Sequence, residues 1–385
     1  MIANNRKIND LRNDIAYKME RESYISDMFS GNVEGGFIRG EEMIDEFINV
    51  GKCPEVKEMI EHLTKEEIMD NAYLRDITIP KATINNISIG RKRAIPANTV
   101  TLYKEKNRDL DTFESIDSYF ICDRPLRFPA IVEGETKSCW MTVEPNEIES
   151  FKEFIDEAEG NVCICGCGLG YVAYMLSLKE SVKSVTIVEL NHDIVEMFES
   201  YILPQFKNKD KIRIVTSDAL EYLQNTDLSY FDYVNVDIWR DTLDMLPLYL
   251  PCLVIENAYP NVKFSYWLEP TLKDLLRKCL LEQFSGFENK RSTLFEFANV
   301  IAKDILDNTD ILTKEDLKKL IRLDDMREVL RMWFLTHPQL SAEYRIDSEK
   351  KMEEMLSFIS AVMGSKHPKN QDSKMLTRLG NNKLF

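Results

Sequence analysis

The feature that most constrains this 385-residue chain is a glycine-rich segment, Gly166-Cys-Gly-Leu-Gly170, that separates an apolar run from a helical pattern. Residues 162–165 have the short apolar character of a buried strand, and residues 171–178 have that of a helix. Glycines at such a turn let the backbone bend sharply and approach a ligand closely. The helix N-terminus behind them favours the polar or anionic end of that ligand. The simpler alternative is a tight strand-to-helix turn that binds no ligand. The sequence on either side of the glycines distinguishes the two interpretations.

That pattern is a regular alternation of strands and helices. The predicted elements are, in order, a helix over 146–158, a strand over 162–165, a helix over 171–178, a strand over 184–189, a helix over 193–201, a strand over 211–215, a helix over 219–223, a strand over 231–237 and a fifth strand near 264–268. Strands that alternate with helices form right-handed units and a parallel sheet. We therefore expect an α/β, Rossmann-like domain over residues 144–270.

The flanking regions have other textures. Residues 1–73 read as helical, and an apolar stripe predicts a helix over residues 55–68. Residues 74–143 carry short β-type runs separated by Pro, Asn and Gly, as in a small antiparallel β-domain. Residues 271–365 read as helical, with one helix expected over 348–363, and the polar residues 366–385 as a disordered tail.

Composition restricts the partners. The chain has 49 Lys and Arg against 65 Asp and Glu, a net charge of −16, which repels phosphate backbones and anionic lipid. We therefore expect no nucleic acid and no membrane as partners, and we expect a small-molecule substrate. No run is long enough to span a membrane, and no secretory signal follows Met1. The cysteines do not resemble a disulfide framework, so we expect a reducing, cytoplasmic location. The eight cysteines and four histidines lack disulfide or metal-site spacing, and we expect no metal.

Three acidic residues follow successive predicted strands, where ligands of open α/β sheets bind. Glu189 can accept hydrogen bonds from ribose hydroxyls, Asp218 can accept from an adenine amino group, and Asp237 stands where catalytic or substrate-orienting groups lie. Each acid could instead cap the next helix. That alternative is a less economical account of all three acids together with the glycines.

Competing nucleotide sites do not fit. The third position after Gly168 is Tyr171, so the dinucleotide fingerprint fails, and the phosphate-loop pattern is absent. An adenine nucleoside remains the expected ligand. Its predicted binding residues are Gly166, Cys167, Gly168, Leu169, Gly170, Glu189, Leu190, Asp218 and Ala219.

At this point a family resemblance is visible. Val162-Cys-Ile-Cys-Gly-Cys-Gly-Leu-Gly170 resembles motif I of the class I S-adenosylmethionine-dependent methyltransferases. Three further segments are similar to the spermidine synthase branch of these enzymes: residues 185–190, 212–219 and 231–237. That branch also has an aliphatic residue at the position of Ile164. The resemblance covers about residues 140–240 well and the upstream β-domain loosely. It implies S-adenosylmethionine, or its decarboxylated form, as the ligand.

The departures from that branch concern the fourth strand. Its signature is Asp-Ser-Ser/Thr-Asp-Pro, whereas this chain has Asp237-Ile-Trp-Arg240, so Arg240 replaces the second acid. The family pattern implies that Asp237 orients or deprotonates the attacking group, which makes it the candidate catalytic residue. The lost acid weakens a polyamine interpretation, because a diamine is best held by several carboxylates.

Two further side chains are candidate substrate contacts. Glu147 could meet the amino group of the ligand, and Trp239 could form a wall of the pocket. Stabilisation of its own helix is the alternative for Glu147, and ordinary packing is the alternative for Trp239.

Three functional hypotheses follow. The first is a small-molecule methyltransferase that acts by in-line displacement at the sulfonium-bound methyl. The second is an aminopropyltransferase that uses decarboxylated S-adenosylmethionine. The third is a non-catalytic nucleoside-binding scaffold whose helical ends bind a protein. Related folds often dimerise, so a homodimer is one assembly we consider.

Overall fold

The computed structural model describes residues 2–31, 38–39, 60–104, 108–114, 118–134, 139–240, 242–287 and 296–336. The α-helices of these residues are α1 (Ile2–Gly31), α2 (Lys65–Ile68), α3 (Ala72–Asp76), α4 (Pro145–Ser150), α5 (Lys152–Glu157), α6 (Tyr171–Leu178), α7 (His192–Met197), α8 (Ala219–Asn225), α9 (Thr242–Asn257), α10 (Glu269–Ser285), α11 (Glu296–Asp307), α12 (Lys314–Arg322) and α13 (Met326–Thr336).

The strands of the same residues are β1 (Ile38–Arg39), β2 (Ile60–His62), β3 (Ala82–Ile84), β4 (Ile87–Ile95), β5 (Thr99–Lys104), β6 (Ser118–Ile121), β7 (Leu126–Glu133), β8 (Cys139–Thr142), β9 (Gly160–Cys165), β10 (Val182–Glu189), β11 (Ile212–Thr216), β12 (Tyr233–Val236) and β13 (Lys263–Tyr266). A π-helix over Phe198–Ile202 and short 3₁₀ turns connect α7 with β11.

The last five strands form one parallel sheet in the order β11-β10-β9-β12-β13. The chain moves outward from β9 in one direction through β10 and β11, then returns to place β12 on the other side of β9. The strand order therefore reverses between β9 and β12, and such a reversal opens a crevice at the carboxyl ends of the strands. The expected α/β, Rossmann-like fold is confirmed, and the fifth strand lies where it was expected.

The central strand β9 divides the hydrophobic core in two. Its side chains alternate between the two faces of the sheet, as strand geometry requires. Val162 and Ile164 pack on one face with residues of the upstream sheets and α6. Cys163 and Cys165 pack on the other face with α1 and the C-terminal helices. The N-terminal helix therefore shares a core with the C-terminal region across the whole length of the chain.

The upstream strands form two smaller sheets. One has the order β3-β4-β7-β8, and all its neighbours are antiparallel. The other has the order β1-β5-β6-β2, with antiparallel pairs except between β2 and β6, which are parallel. Strands were expected in this part of the chain, but β1 and β2 lie within the region that was expected to be helical. The domain boundaries themselves stay a prediction.

The helix expected over residues 55–68 is wrong for part of its length. Ile60–His62 is strand β2, because it pairs with Tyr119–Ile121 of β6, and tertiary pairing overrides a helical periodicity. A helix begins only after Thr64, whose side chain accepts a hydrogen bond from the Glu67 N–H while the Glu67 carboxylate accepts one from the Thr64 N–H. This capping box sets the start of α2.

Beyond β13 the described residues are helical, as expected. The helices α10 to α13 pack on the face of the sheet that carries Cys163 and Cys165. The helix predicted over residues 348–363 and the tail predicted over 366–385 lie outside the described residues. Among the helices that are described, none combines the length and the apolar character needed to cross a membrane.

Candidate ligand-binding site

The glycine-rich loop after β9 adopts a backbone that other residues rarely adopt. Gly166, Gly168 and Gly170 have φ angles of 101°, 50° and 73°. A Cβ atom on Gly166 would overlap the carbonyl oxygen of Asp237, and one on Gly168 would overlap the sulfur of Met141. Glycine is therefore required for conformation and for close approach alike. The loop passes between the end of β12 and strand β8.

Glu189 ends β10 beside this loop. Its Oε2 accepts a hydrogen bond from the Cys167 N–H at 2.9 Å, and its Oε1 accepts one from the Asn191 N–H at 2.8 Å. Burial raises the pKa of Glu189, although these backbone donors oppose the increase. Each carboxylate oxygen can accept more than one hydrogen bond. Glu189 can therefore orient the loop and still accept from two neighbouring hydroxyls, with half-buried Leu190 next to it.

Asp218 follows β11 and caps the next helix, which was the alternative to ligand binding for this acid. Its Oδ1 accepts a hydrogen bond from the Glu221 N–H at 2.8 Å, which caps α8. The adjacent Ala219 is buried. A cap uses one oxygen of the carboxylate, so capping and a nucleoside contact are compatible. The nucleoside contact stays a prediction.

Asp237 lies at the point where the strand order reverses. Its N–H donates to the Cys165 carbonyl at 3.0 Å, which extends the pairing of β12 with β9 by one residue. This pairing brings Asp237 against Gly166, the first residue of the loop. The candidate catalytic acid and the candidate binding loop are therefore neighbours, as the sequence predicts from the shared carboxyl edge.

Glu147, in the first turn of α4, lies within electrostatic reach of Asp237. Burial raises the pKa of Glu147 well above its ordinary range, and the negative charges of Glu144 and Asp237 add to that increase. The N–H of Thr142 donates to its carboxyl group. Glu144 is held separately, because its Oε2 accepts from the Arg93 Nε at 3.0 Å. The carboxyl groups of Glu147 in α4 and of Asp237, just after β12, therefore lie near one another.

Trp239 packs in the interior of the protein. It is 4% exposed, and its Nε1 donates to the Trp267 carbonyl at 2.9 Å. Its ring lies 6.5 Å from that of Tyr266 and 6.4 Å from that of Tyr249, measured between centroids. These contacts correspond to the packing alternative, and a role as a pocket wall stays a prediction.

Two residues contact the loop that sequence reasoning did not select. The Leu169 N–H donates to the Met141 sulfur at 3.1 Å, so Met141 of β8 covers the loop. The buried Tyr73 of α3 donates its hydroxyl to the Leu169 carbonyl. Burial raises the pKa of Tyr73 well above its ordinary value, so this hydroxyl is a neutral donor. Tyr73 is 96 positions from Leu169, so no local sequence signal could have found this contact.

A basic side chain also reaches this part of the molecule. The guanidinium carbon of Arg240 lies 6.0 Å from the centroid of the Trp140 ring, next to Met141 on β8.

In the part of the chain that the structure describes, no group of three or more His, Cys, Asp or Glu residues is arranged to hold a metal ion.

The sheet order, the glycine-rich loop and the acid at the end of the second strand form a Rossmann-like α/β domain. A family comparison gives a match over part of the chain: residues 143–248 match the model of the spermine/spermidine synthase domain. The resemblance to the spermidine synthase branch is therefore confirmed for this segment. No curated protein matches the chain.

Solved structures give distant likenesses. Spermidine synthase from Thermotoga maritima aligns at 17% identity and a TM-score of 0.28, over 40% of this chain and 59% of that one. A spermidine synthase in complex with the transition state analogue AdoDATO aligns at 16% and 0.27, over 42% and 59%. The Trypanosoma brucei PRMT1 enzyme-prozyme heterotetrameric complex with AdoHcy aligns at 17% and 0.23, over 31% and 35%. The chain thus spans about three-fifths of the two synthases, and these likenesses carry no functional argument.

Proposed function

We propose that this protein is a transferase that binds S-adenosylmethionine at the crevice between β9 and β12 and transfers its methyl group to a small-molecule acceptor. The observation that carries the proposal is the Glu189 carboxylate bonded to the Cys167 N–H of the glycine-rich loop. It couples a ribose-binding acid to the loop at the reversal of strand order, where ligands of such sheets bind. The match to the spermine/spermidine synthase domain supports a ligand of this type.

The residues of the site suit the parts of this ligand. Glu189 would accept hydrogen bonds from the ribose hydroxyls, and Asp218 would accept from the adenine amino group. The positive φ angles of the loop glycines keep side chains away from its surface, so the backbone can approach the ligand closely. Leu190 and Ala219 would provide apolar contact for the adenine ring.

The sulfonium ligand supplies an electrophilic carbon. Transfer forms a bond from an acceptor lone pair to the methyl carbon, while the carbon–sulfur bond breaks and its electrons pass to sulfur, which leaves S-adenosylhomocysteine. The main task of the protein is to hold acceptor, carbon and sulfur in line. Asp237 would orient the acceptor and take its proton where the acceptor arrives protonated.

Aminopropyl transfer is the second candidate, and the family match favours it. The carboxyl groups of Glu144, Glu147 and Asp237 on one edge would suit a cationic amine acceptor. The two candidates need different ligands, since aminopropyl transfer starts from decarboxylated S-adenosylmethionine.

Calorimetric titration of the purified protein with S-adenosylmethionine, its decarboxylated form and S-adenosylhomocysteine tests the proposal. We expect binding of the carboxylated pair, and a Glu189→Ala variant should lose most of it because the ribose partner is removed. Glu196→Ala, an exposed change on the neighbouring α7, is the matched control and should bind as the wild type does. If the folded wild-type protein binds none of the three ligands, the proposed function is wrong.

Asp237→Asn tests catalysis separately. We expect ligand binding to persist while the transfer rate falls by about 10²- to 10⁴-fold, the usual contribution of a general base. An unchanged rate would remove Asp237 from the mechanism.

A further inference from the structure

Arg240 brings positive charge to the edge of the site that carries the carboxyl groups of Glu147 and Asp237. It follows Asp237 by three residues, beyond the carboxyl end of β12. Its guanidinium stands 6.0 Å from the Trp140 ring centroid, within the range of a cation–π contact. Trp140 is next to Met141, whose sulfur accepts from the Leu169 N–H. The half-buried cation is thus held beside the strand that covers the glycine-rich loop.

The carboxyl groups of the same edge are balanced in different ways. Arg93 offsets the charge of Glu144 through their 3.0 Å contact. Glu147 is held towards its neutral form, because burial and then the charges of Glu144 and Asp237 raise its pKa. Asp237 and Arg240 carry opposite charges at the end of the same strand. This edge of the site therefore carries charged groups of both signs.

We propose that Arg240 binds the carboxylate of the ligand, so that the site selects the amino-acid end of S-adenosylmethionine over the decarboxylated form. This inference rests on the proposed function. An amino-acid end carries an ammonium and a carboxylate, which matches an edge that has charges of both signs. A guanidinium binds a carboxylate through two parallel N–H donors. The decarboxylated ligand offers a cation alone, and the guanidinium repels it.

The cation–π contact with Trp140 adds selectivity. A guanidinium held over an aromatic face has fewer orientations to lose when it binds a carboxylate than a freely rotating side chain has. A lysine at this position would keep the charge but lose the planar fork of two N–H donors. Arg240 should therefore act through geometry as well as charge.

The test is calorimetric titration of the full chain with S-adenosylmethionine and with its decarboxylated form. We expect the wild-type protein to prefer the carboxylated ligand by ~10- to 100-fold, the effect of a charge-assisted hydrogen-bonded pair. Arg240→Met should remove that preference, mainly by weakening the carboxylated ligand. Arg240→Lys should restore part of it. Arg213→Met, an exposed change on β11, is the matched control and should keep the full preference.

The outcomes separate two failures. Equal affinity of the wild-type protein for both ligands, or a preference that persists in Arg240→Met, overturns this inference and leaves the proposed function standing. Binding of neither ligand by the folded wild-type protein overturns the proposed function itself. The preference of the wild type is measured without any variant, so the inference stays testable even where Arg240→Met fails to fold.

Discussion

The two faces of the parallel sheet are joined to the rest of the molecule by different kinds of interaction. On the face of Val162 and Ile164, the contacts that reach the glycine-rich loop are neutral: the Tyr73 hydroxyl on the Leu169 carbonyl and the Met141 sulfur on the Leu169 N–H. On the opposite face, α1 and α10 are joined by buried charges. The difference indicates that changes on the first face alter ligand binding, whereas changes on the second face alter stability.

The charged cluster of the second face is centred on Arg108. Its side chain is fully buried, and it donates to Glu22 of α1 at 2.6 Å and to Asp274 of α10 at 3.1 Å. Lys278 adds a second cation 3.3 Å from Glu22. Burial alone would raise the pKa of Glu22, but Arg108 and Lys278 bring it below its ordinary value. The cluster therefore stays ionised and links the two ends of the chain.

Gly166→Ala should have the largest effect, because it breaks the loop itself. Gly166 has a φ of 101°, and a Cβ there would overlap the Asp237 backbone carbonyl, which cannot move without shifting β12. Strain and overpacking together should cost roughly 4 kcal/mol of unfolding free energy. We also expect loss of nucleoside binding. Urea denaturation and calorimetry measure the two effects.

Substitutions at two other glycines show how much of the stability loss in Gly166→Ala comes from overlap and how much from backbone strain. A Cβ on Gly168 meets the flexible Met141 side chain, so Gly168→Ala should be milder in stability than Gly166→Ala. Gly286 has a similar φ of 75° and nothing within 4 Å of a Cβ, so Gly286→Ala should cost only ~1 kcal/mol of backbone strain. Equal losses at Gly166 and Gly286 would show that overlap with Asp237 is unimportant.

Arg108→Met tests the opposite face. Removing the cation takes the Arg108 partner from half-buried Asp274 and leaves half-buried Glu22 with Lys278 alone, which should cost about 2 kcal/mol of unfolding free energy. The affinity for the nucleoside ligand should remain within about twofold at temperatures where the variant is folded, since the loop contacts are untouched. Urea denaturation and calorimetry again give both values.

The control is Lys152→Met. Lys152 pairs with Asp156 at 2.5 Å on the surface of α5, with both side chains about 60% exposed. Exposed pairs of this kind contribute little to stability, so Lys152→Met should leave the free energy of unfolding almost unchanged. A strong loss of ligand affinity in Arg108→Met would contradict the separation of the two faces.

Tyr73→Phe makes the converse test on the loop side. The change keeps the ring and removes the hydroxyl, which leaves the Leu169 carbonyl without this buried donor and should cost about 1–2 kcal/mol of unfolding free energy. Ligand affinity should fall several-fold, because Leu169 lies within the binding loop. Tyr174→Phe, which removes a hydroxyl bonded to Asp76 away from the loop, is the matched control and should leave affinity unchanged.

The sequence contains enough to predict the sheet and the loop. The alternation of apolar strands with helices specifies parallel pairing, and the glycines mark the turn after β9. Glu189, Asp218 and Asp237 could be placed on one edge because all parallel strands end there. Residues 60–62 could not be assigned, because their strand depends on pairing with β6, which is about 60 positions away. The hydrogen bond from Tyr73 to Leu169 could not be predicted either, because it also joins residues that are far apart in the sequence.

The chemistry around Glu147 shows a different limit. Sequence placed it in the first turn of a helix near motif I, where helix stabilisation and ligand contact are equally consistent. The structure adds the neighbouring charges of Glu144 and Asp237 and the burial that raises its pKa. These depend on how α4 meets β12, so no local pattern could reveal them. The same holds for Arg240, because the sequence shows that an arginine replaces the second acid but does not reveal its cation–π contact with Trp140.

Glu147→Gln should have the smallest effect on stability, and the informative result is whether stability rises or falls with pH. Because the pKa of Glu147 is raised in the folded protein, the stability contributed by this group is fully present below its ordinary value of 4.5 and is lost as pH rises through the folded pKa. Glutamine does not titrate, so the wild type should lose stability relative to the variant as pH increases. For one proton the slope cannot exceed ~1.4 kcal/mol per pH unit.

Urea denaturation of both proteins at a series of pH values measures this slope. The comparison should sharpen further when S-adenosylmethionine is present. A cationic ligand beside Glu147 favours the charged carboxylate, so binding should release a proton and reduce the slope. A slope of the opposite sign would mean that Glu147 is ionised more readily in the folded protein than in the unfolded chain. The fold would then stabilise the charged carboxylate of Glu147 and would not hold it towards its neutral form.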